Sequence, residues 1–174
     1  MNGGVLGLLI VSGFVAVALI ITLVVNKRVM RQDRARRCAL GVQGQAIVLT
    51  GIYGSQTNFV LKRIARAENR AFTPTGLRFT VIVDSDAMTW WRGAEDPLLI
   101  ARFPLQSIRD VGSGTTSFGN STFPTIFFGV AVNGRTFDLQ LRVANAKGVW
   151  NATAMERDRF ASAIRERVEA TRLE

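Results

Sequence analysis

The first 26 residues carry no ionisable side chain, and this constrains the fold more than any other feature of the sequence. Residues 5–25 are apolar apart from Gly7, Ser12, Gly13 and Thr22. As an α-helix they would extend about 31 Å, which is about the thickness of a hydrocarbon core. The stretch also lacks the polar face of a helix that packs on a globular core. The sequence therefore predicts a transmembrane helix in residues 1–26.

A cleaved signal peptide is the competing interpretation of the same segment. Residues 16–18, Ala-Val-Ala, imitate an A-x-A cleavage site. Seven more residues, almost all apolar, follow that site, and the residues before the apolar stretch include no Lys or Arg. We therefore interpret the segment as a retained helix.

Six basic residues follow the apolar stretch within residues 27–37, where Asp33 is the only acidic residue. Positive residues that flank one end of a transmembrane helix hold that end in the cytoplasm. We therefore expect a single-pass protein of the inner (plasma) membrane, with its N-terminus outside and its C-terminal domain in the cytoplasm.

The same basic cluster lies in a predicted juxtamembrane linker, residues 27–40. Basic side chains beside an anionic leaflet are attracted to its surface. The alternative is that the cluster serves only as a topology signal in a solvated linker. The residues predicted to contact the membrane surface are Lys27, Arg28, Arg31, Arg34, Arg36 and Arg37.

Small residues within the apolar stretch leave self-association open. The pairs Gly3/Gly7 and Ser12/Ala16 have the spacing that lets two membrane helices pack closely. A homo-oligomer formed through this helix is therefore an alternative role for the segment. Cys38 lies where acylation occurs in some cells, although an ordinary thiol is the simpler interpretation.

The residue types that are missing exclude several kinds of chemistry. With no histidine and one cysteine, the chain cannot form an internal disulfide, a Cys/His zinc site or an imidazole-based catalytic site. The acidic pairs Asp84/Asp86 and Glu95/Asp96 lie in predicted turns, where they bond to local backbone. We therefore predict that the protein is not an enzyme, with no catalytic residue, no cofactor and no metal.

The distribution of charge argues against a nucleic-acid partner. The net charge is +9, of which residues 27–37 contribute +5, so that +4 remains for residues 38–174. A DNA- or RNA-binding surface requires a denser basic footprint on one face. Nineteen of the 22 basic residues are arginine, which suggests a GC-rich, bacterial genome.

From about residue 41, apolar and polar residues alternate as in half-buried β-strands. Strands are predicted at residues 45–52, 77–83, 88–92 and 98–103. The strongest signal is Asn133-Gly134 between the alternating runs 126–132 and 137–143, because both turn positions favour positive φ. Residues 112–124 are predicted to form a long polar loop.

Two further segments have helical features. Thr153 and Glu156 have the spacing of a capping box at the start of a helix with a narrow apolar stripe that includes Ile164 and Val168. Residues 56–72 fit either a helix or another strand. That undecided segment carries a basic cluster, which we predict to be a ligand or partner surface, formed by Lys62, Arg63, Arg66 and Arg70.

The layout of residues 75–172 resembles a bacterial pleckstrin-homology-like (PH-like) domain. Residues 79–90, Phe-Thr-Val-Ile-Val-Asp-Ser-Asp-Ala-Met-Thr-Trp, resemble its strand, Asp-rich turn and aromatic strand. Residues 103–111, Phe-Pro-Leu-Gln-Ser-Ile-Arg-Asp-Val, resemble its segment between strands, and a hairpin followed by a capped helix is similar to its ending. The resemblance implies a bent antiparallel barrel, spanning residues 41–174, which a C-terminal helix closes and which holds lipid headgroups or peptides.

Together these features predict a membrane-anchored, non-catalytic binding or scaffold module. It would present its PH-like domain to the cytoplasm, for a protein partner or for the membrane surface and its anionic lipid headgroups. The alternative function is a self-associating structural subunit or an accessory subunit of a membrane complex.

Overall fold

The computed structural model describes residues 3–41, 46–145, 148 and 150–173, with side chains from Ser12 onward except at residue 118. A long N-terminal helix precedes a mainly-β antiparallel domain that ends in a second long helix. The elements are α1 (Gly3–Ala39), β1 (Ile47–Ile52), α2 (Ser55–Ala67), β2 (Arg78–Val83), β3 (Ala87–Arg92), β4 (Leu98–Pro104), a 3₁₀ turn (Leu105–Ser107), β5 (Ile108–Phe118), β6 (Ser121–Val132), β7 (Arg135–Val143) and α3 (Ala154–Leu173).

Helix α1 contains both the predicted membrane segment and the predicted linker. Within the described ranges, one helical segment is long and apolar enough to cross a membrane, Ser12–Ala39, with a mean hydropathy of 1.8. All side chains of residues 12–25 are exposed. Residues 27–39 continue the helix without a break, because they contain strong helix formers and neither glycine nor proline. The basic segment is therefore a rigid rod.

The seven strands form one antiparallel sheet in the order β4-β3-β2-β1-β7-β6-β5. Strands β4 and β5 are its two edges, yet only residues 105–107 separate them in sequence. Six strand spacings across a flat sheet would amount to about 29 Å, whereas a three-residue 3₁₀ turn advances about 6 Å. The sheet must therefore curl strongly, although no pairing between β4 and β5 closes it into a barrel.

One hydrophobic core fills the concave side of the curled sheet. Trp90 is fully buried and stacks on Phe79, with ring centroids 5.0 Å apart. Alternate residues of every strand join this core, as the period-two pattern predicts. Helix α2 adds Leu61 and Ile64, and α3 adds the stripe around Ile164. Both helices are therefore integral parts of the β domain.

Local sequence signals in the second half of the chain are confirmed. Asn133 and Gly134 have φ values of 49° and 76°, as a tight hairpin between β6 and β7 requires. The capping box is also present, because Glu156 N donates to Thr153 Oγ1 and Thr153 N donates to Glu156 Oε2. Asp84 Oδ1 accepts from the backbone N–H groups of Asp86 and Ala87, which fixes the predicted turn between β2 and β3.

For two segments the structure goes beyond the sequence predictions: it settles one alternative that the sequence left open and overturns one prediction. Residues 55–67 are helical, and the strand alternative for this region is wrong. The long loop predicted for residues 112–124 is also wrong, because these residues form the paired ends of β5 and β6 around a turn at residues 119–120. The Ser- and Thr-rich composition suggested a loop, yet β6 supplies the backbone partners that a strand needs.

We predict that Gly51→Ala destabilises the β domain by about 1–3 kcal/mol, because overpacking a core strains its neighbours. A Cβ atom at this β1 position would overlap the ring of Phe79 on the paired strand. Thermal unfolding of the full chain in detergent, followed by circular dichroism, measures the change in Tm.

Gly112→Ala in β5 is the matched control, because an added Cβ there meets only Phe127 Cβ at 4.0 Å. Its Tm should stay close to that of the wild type. Equal Tm values for the two variants would contradict the packing of β1 against Phe79.

Candidate functional surfaces

A buried polar network attaches the C-terminal half of α1 to the outer face of the sheet. Its centre is the Asp33 carboxylate, which lies over Thr50 of β1 and Thr80 of β2. These two threonines are paired in register, and their hydroxyls donate to Asp33 Oδ2 (2.9 Å) and Oδ1 (3.3 Å). Two arginines of α1 bind the same carboxylate, so that its charge is compensated within the interface.

Arg36 is the most deeply buried charged residue of this network and is only 2% exposed. Its guanidinium donates to Asp33 Oδ1 (2.7 Å), Thr80 Oγ1 (2.6 Å) and the backbone oxygen of Gly93 (2.6 Å). This position differs from the predicted contact with the membrane surface, because the side chain is enclosed between α1 and the sheet. The i,i+3 spacing from Asp33 is the sequence signal that could have indicated an ion pair.

Arg37 and Arg78 extend the network on either side. Arg37 is half-buried and donates to Asp33 Oδ2 (3.0 Å) and Thr50 Oγ1 (2.5 Å). Burial lowers the pKa of Arg78, while the nearby charge of Asp33 acts in the opposite direction. An arginine keeps its charge under these conditions, so the interface combines one carboxylate with several guanidinium groups.

The other four residues of the predicted membrane-contact cluster are exposed. Lys27, Arg31 and Arg34 line a groove of about 430 Å³ along α1, which Arg37 and Gly148 complete. Their spacing of three or four residues places them on one face of the helix. Arg28 is exposed as well. The structure thus keeps a basic face next to the apolar half of α1.

The direction of α1 defines two ends of the β domain. Arg36 reaches Gly93, directly after β3, whereas Leu40 lies in a groove with Ile82 and Asp84 near the β2–β3 turn. Helix α1 therefore runs from the β3–β4 turn towards the β2–β3 turn, and its apolar half projects beyond the former. We call the end with residues 53, 77 and 93–98 the proximal end, and the opposite end, which holds the β2–β3 turn, the distal end.

The second predicted basic cluster is split by the structure. Arg63 and Arg66 of α2 line a shallow groove together with Arg135, which begins β7, and we call it the α2–β7 groove. The Arg63 guanidinium lies 5.7 Å from the ring centroid of Phe137, a cation–π contact that holds it in place. Sequence reasoning missed Arg135, because 69 residues separate it from Arg66 and only the turn at Asn133 brings them together. The Asn133 side chain donates to Ala67 O at the end of α2.

Lys62 and Arg70 do not line the α2–β7 groove. Lys62 is exposed elsewhere on α2. Arg70 forms an ion pair with Glu68 and donates to the backbone oxygen of Ile100 in the edge strand β4 (3.1 Å). Its guanidinium therefore stabilises the fold.

The opposite edge strand, β5, is covered by arginines of α3. Arg157 donates to Gly114 O (2.5 Å), Arg165 to Val111 O (2.7 Å), and Arg172 to Ile108 O (2.7 Å). Free strand edges invite pairing with other chains, and charged side chains reduce that tendency. Guanidinium groups thus occupy backbone acceptors on both edges of the sheet.

A third cleft lies where β1 meets α2, lined by Tyr53, Thr57, Phe123 and Arg142 among others. Arg142 stacks over Phe123, 3.7 Å from its ring centroid, and donates to Asn151 Oδ1 (3.2 Å). Both interactions position Arg142 within the fold.

No group of three or more His, Cys, Asp or Glu side chains that could hold a metal occurs in the part of the chain that the structure describes. No protein-family model matches the chain, and a comparison with curated proteins finds no similar sequence. The surfaces therefore have to be interpreted from their own geometry.

We predict that Asp33→Ala destabilises the chain by about 3 kcal/mol, the range seen when one partner of a buried ion pair is removed. The variant would leave Arg36 buried without its carboxylate. Thermal unfolding of the full chain in detergent measures the stability. Trypsin cleavage after residues 36 and 37 measures the release of α1.

The control is Arg34→Ala, an exposed position on the same helix, which should change stability by less than about 0.5 kcal/mol. If both variants unfold and are cleaved alike, Asp33 does not hold α1 on the sheet.

Proposed function

We propose that this protein is a membrane-anchored, non-catalytic binding module that presents a PH-like β domain to the cytoplasm for an acidic protein partner. The observation that carries the proposal is the continuity of α1. A single helix joins an apolar segment of membrane-spanning length to a buried ion-pair network on the sheet. The anchor and the binding domain therefore form one rigid unit.

The basic face of α1 supports the cytoplasmic orientation. Lys27, Arg28, Arg31 and Arg34 are exposed directly after the apolar residues. Positive residues at this position keep the adjoining domain on the cytoplasmic side, and they also attract anionic lipid headgroups. The burial of Arg36 does not weaken this argument, because four exposed charges remain.

The element order supports a PH-like domain. A curled antiparallel sheet is followed by a C-terminal helix that packs into its core, as the resemblance implies. Helix α2, between β1 and β2, lies before residue 75, outside the segment that carries the resemblance. This insertion gives a physical reason why the earlier part of the chain departs from the family pattern.

The α2–β7 groove supports an acidic protein partner. Arg63, Arg66 and Arg135 come from two different elements and line one shallow surface. The rings of Phe59 and Phe137, 5.9 and 5.7 Å from the Arg63 guanidinium, hold that group in place. Guanidinium groups in fixed positions suit paired hydrogen bonds to the carboxylates of a protein surface.

A photo-crosslinking amino acid at Thr136, in the α2–β7 groove, tests this function in bacterial cells that express the full chain. We expect an adduct with an acidic protein in the membrane fraction. The double charge reversal Arg66→Glu/Arg135→Glu should abolish it, because the two introduced carboxylates would repel an acidic partner. An adduct that survives the reversal would contradict the assignment of the groove.

Two controls complete this experiment. A cross-linker at Ser162, exposed on α3, should give no adduct that depends on Arg66. A membrane-impermeant maleimide should label Cys38, which is exposed, only after the cells are permeabilised. Labelling of intact cells would place the domain outside the cytoplasm and overturn the proposed orientation.

A further inference from the structure

The cleft where β1 meets α2 has a volume of about 440 Å³ and lies against the β5–β6 hairpin and the outer face of β7. Its lining contains two aromatic residues, Tyr53 and Phe123, and several hydroxyl and amide side chains. Among the described residues that line it, Arg142 is the one charged group and none is acidic. The cleft therefore presents one positive charge beside apolar rings.

Hydrogen bonds join the walls of this cleft to one another. The backbone oxygen of Gln140 in β7 accepts from Thr57 Oγ1 of α2 (2.7 Å), and its side-chain Oε1 accepts from Thr116 Oγ1 of β5 (3.1 Å). The cleft is therefore formed before any ligand enters it. A preformed site loses less conformational entropy when it binds.

Neutral groups hold Arg142 in the cleft. Its guanidinium stacks on the ring of Phe123 and donates to Asn151 Oδ1, and a longer contact of 3.5 Å reaches the backbone oxygen of Tyr53. Within the described ranges, no carboxylate forms an ion pair with Arg142, and its buried Nε–H has no acceptor. Buried donors are normally paired, so this N–H is free to bind an acceptor that enters the cleft.

The strand register explains why the charge of Arg142 is uncompensated. Arg78 and Arg142 are both paired with Ile52, one on each side, so the three residues form a row across β2, β1 and β7. Burial lowers the pKa of Arg78, Asp33 opposes this effect, and the charge of Arg142 adds to it. Burial also lowers the pKa of Arg142. An anion bound at Arg142 would offset both the burial and the repulsion.

The start of α2 adds neutral donors to the same cleft. Its N-cap is Gly54, which has no side chain to cap the helix, and the backbone N–H groups of residues 55–57 have no acceptor in the described part of the chain. A side chain at Gly54 would not fit, because its Cβ would lie 2.9 Å from the hydrogen-bonded Thr57 Oγ1. The positive end of the helix dipole is thus left open at the cleft.

We propose that this cleft binds a small organic monocarboxylate. The carboxylate oxygens accept from Arg142 and from the first N–H groups of α2, while the apolar part of the ligand packs against Tyr53. Hydrogen bonds between a guanidinium and a carboxylate are charge-assisted and about twice as strong as neutral ones. The cleft shares no lining residue with the α2–β7 groove, so this inference goes beyond the proposed function and does not depend on it.

The charge of the cleft favours a carboxylate over a phosphate group. A phosphate monoester carries a charge of about −1.5 to −2 at neutral pH, and proteins bind it with clusters of arginines. One arginine with a set of neutral donors matches a single negative charge better. Arg78, on the other side of Ile52, already interacts with Asp33.

A fluorine label in the cleft tests the proposal. Tyr53 is the only tyrosine of the chain, so 3-fluorotyrosine gives one fluorine resonance, and it reports on the cleft. The full chain in detergent at pH 7 is titrated with benzoate, with neutral benzamide and with inorganic phosphate. We expect benzoate to shift the resonance with a Kd on the order of 1 mM, as suits a ligand of this size. Benzamide, which has the same ring without the charge, and phosphate should each bind at least tenfold more weakly.

Two variants locate the binding site. Arg142→Gln should weaken benzoate binding at least tenfold, and so should Ser117→Trp, which fills the cleft and keeps the guanidinium. The second variant decides the matter if the first does not fold, which thermal unfolding shows. Arg102→Gln removes an exposed arginine from β4 and should leave the titration unchanged.

Four results would overturn the proposal. They are the absence of a saturable shift with benzoate, binding of benzamide or phosphate as tight as that of benzoate, undiminished binding in a folded Arg142→Gln or Ser117→Trp variant, and loss of binding in Arg102→Gln.

Discussion

The buried carboxylate of Asp33 holds the anchor helix and the β domain in a fixed relation. It binds Arg36 and Arg37 from its own helix and accepts from two threonines of the sheet. An unpaired charge in this position would be strongly unfavourable, so the helix and the sheet are stable only in this register. The position of the β domain relative to the apolar segment follows from this attachment.

Arginine has several distinct structural roles in this chain. Some guanidinium groups bind backbone oxygens at the two edges of the sheet, as Arg70 and Arg165 do, and others stack on aromatic rings, as Arg142 does. A planar group with five donors suits both tasks better than a lysine ammonium. A high net charge therefore overstates how much basic surface is free for partners. The exposed remainder includes the basic face of α1 and the α2–β7 groove.

Sequence reasoning succeeded where the determining interactions are local. The turn at Asn133-Gly134 and the capping box at Thr153 depend on neighbouring residues, and both are confirmed. Strand β2 is also confirmed, but both its faces are buried, because α1 covers the outer one. Sequence reasoning failed where distant partners decide the outcome. Residues 112–124 have the composition of a loop, but pairing between β5 and β6 makes most of them strand. Arg135 lies in the basic groove only because the fold brings it next to α2. The burial of Arg36 depends on Thr80, which is 44 residues away.

The most direct test is whether α1 and the β domain move as one body in a bilayer. Spin labels at Phe14→Cys and Thr136→Cys, in a Cys38→Ser background, report the distance between the apolar segment and the α2–β7 groove by electron–electron resonance in nanodiscs. The account predicts a single narrow distance distribution, which Asp33→Ala broadens. A broad distribution in the chain with Asp33 intact would show a flexible tether and contradict the central claim.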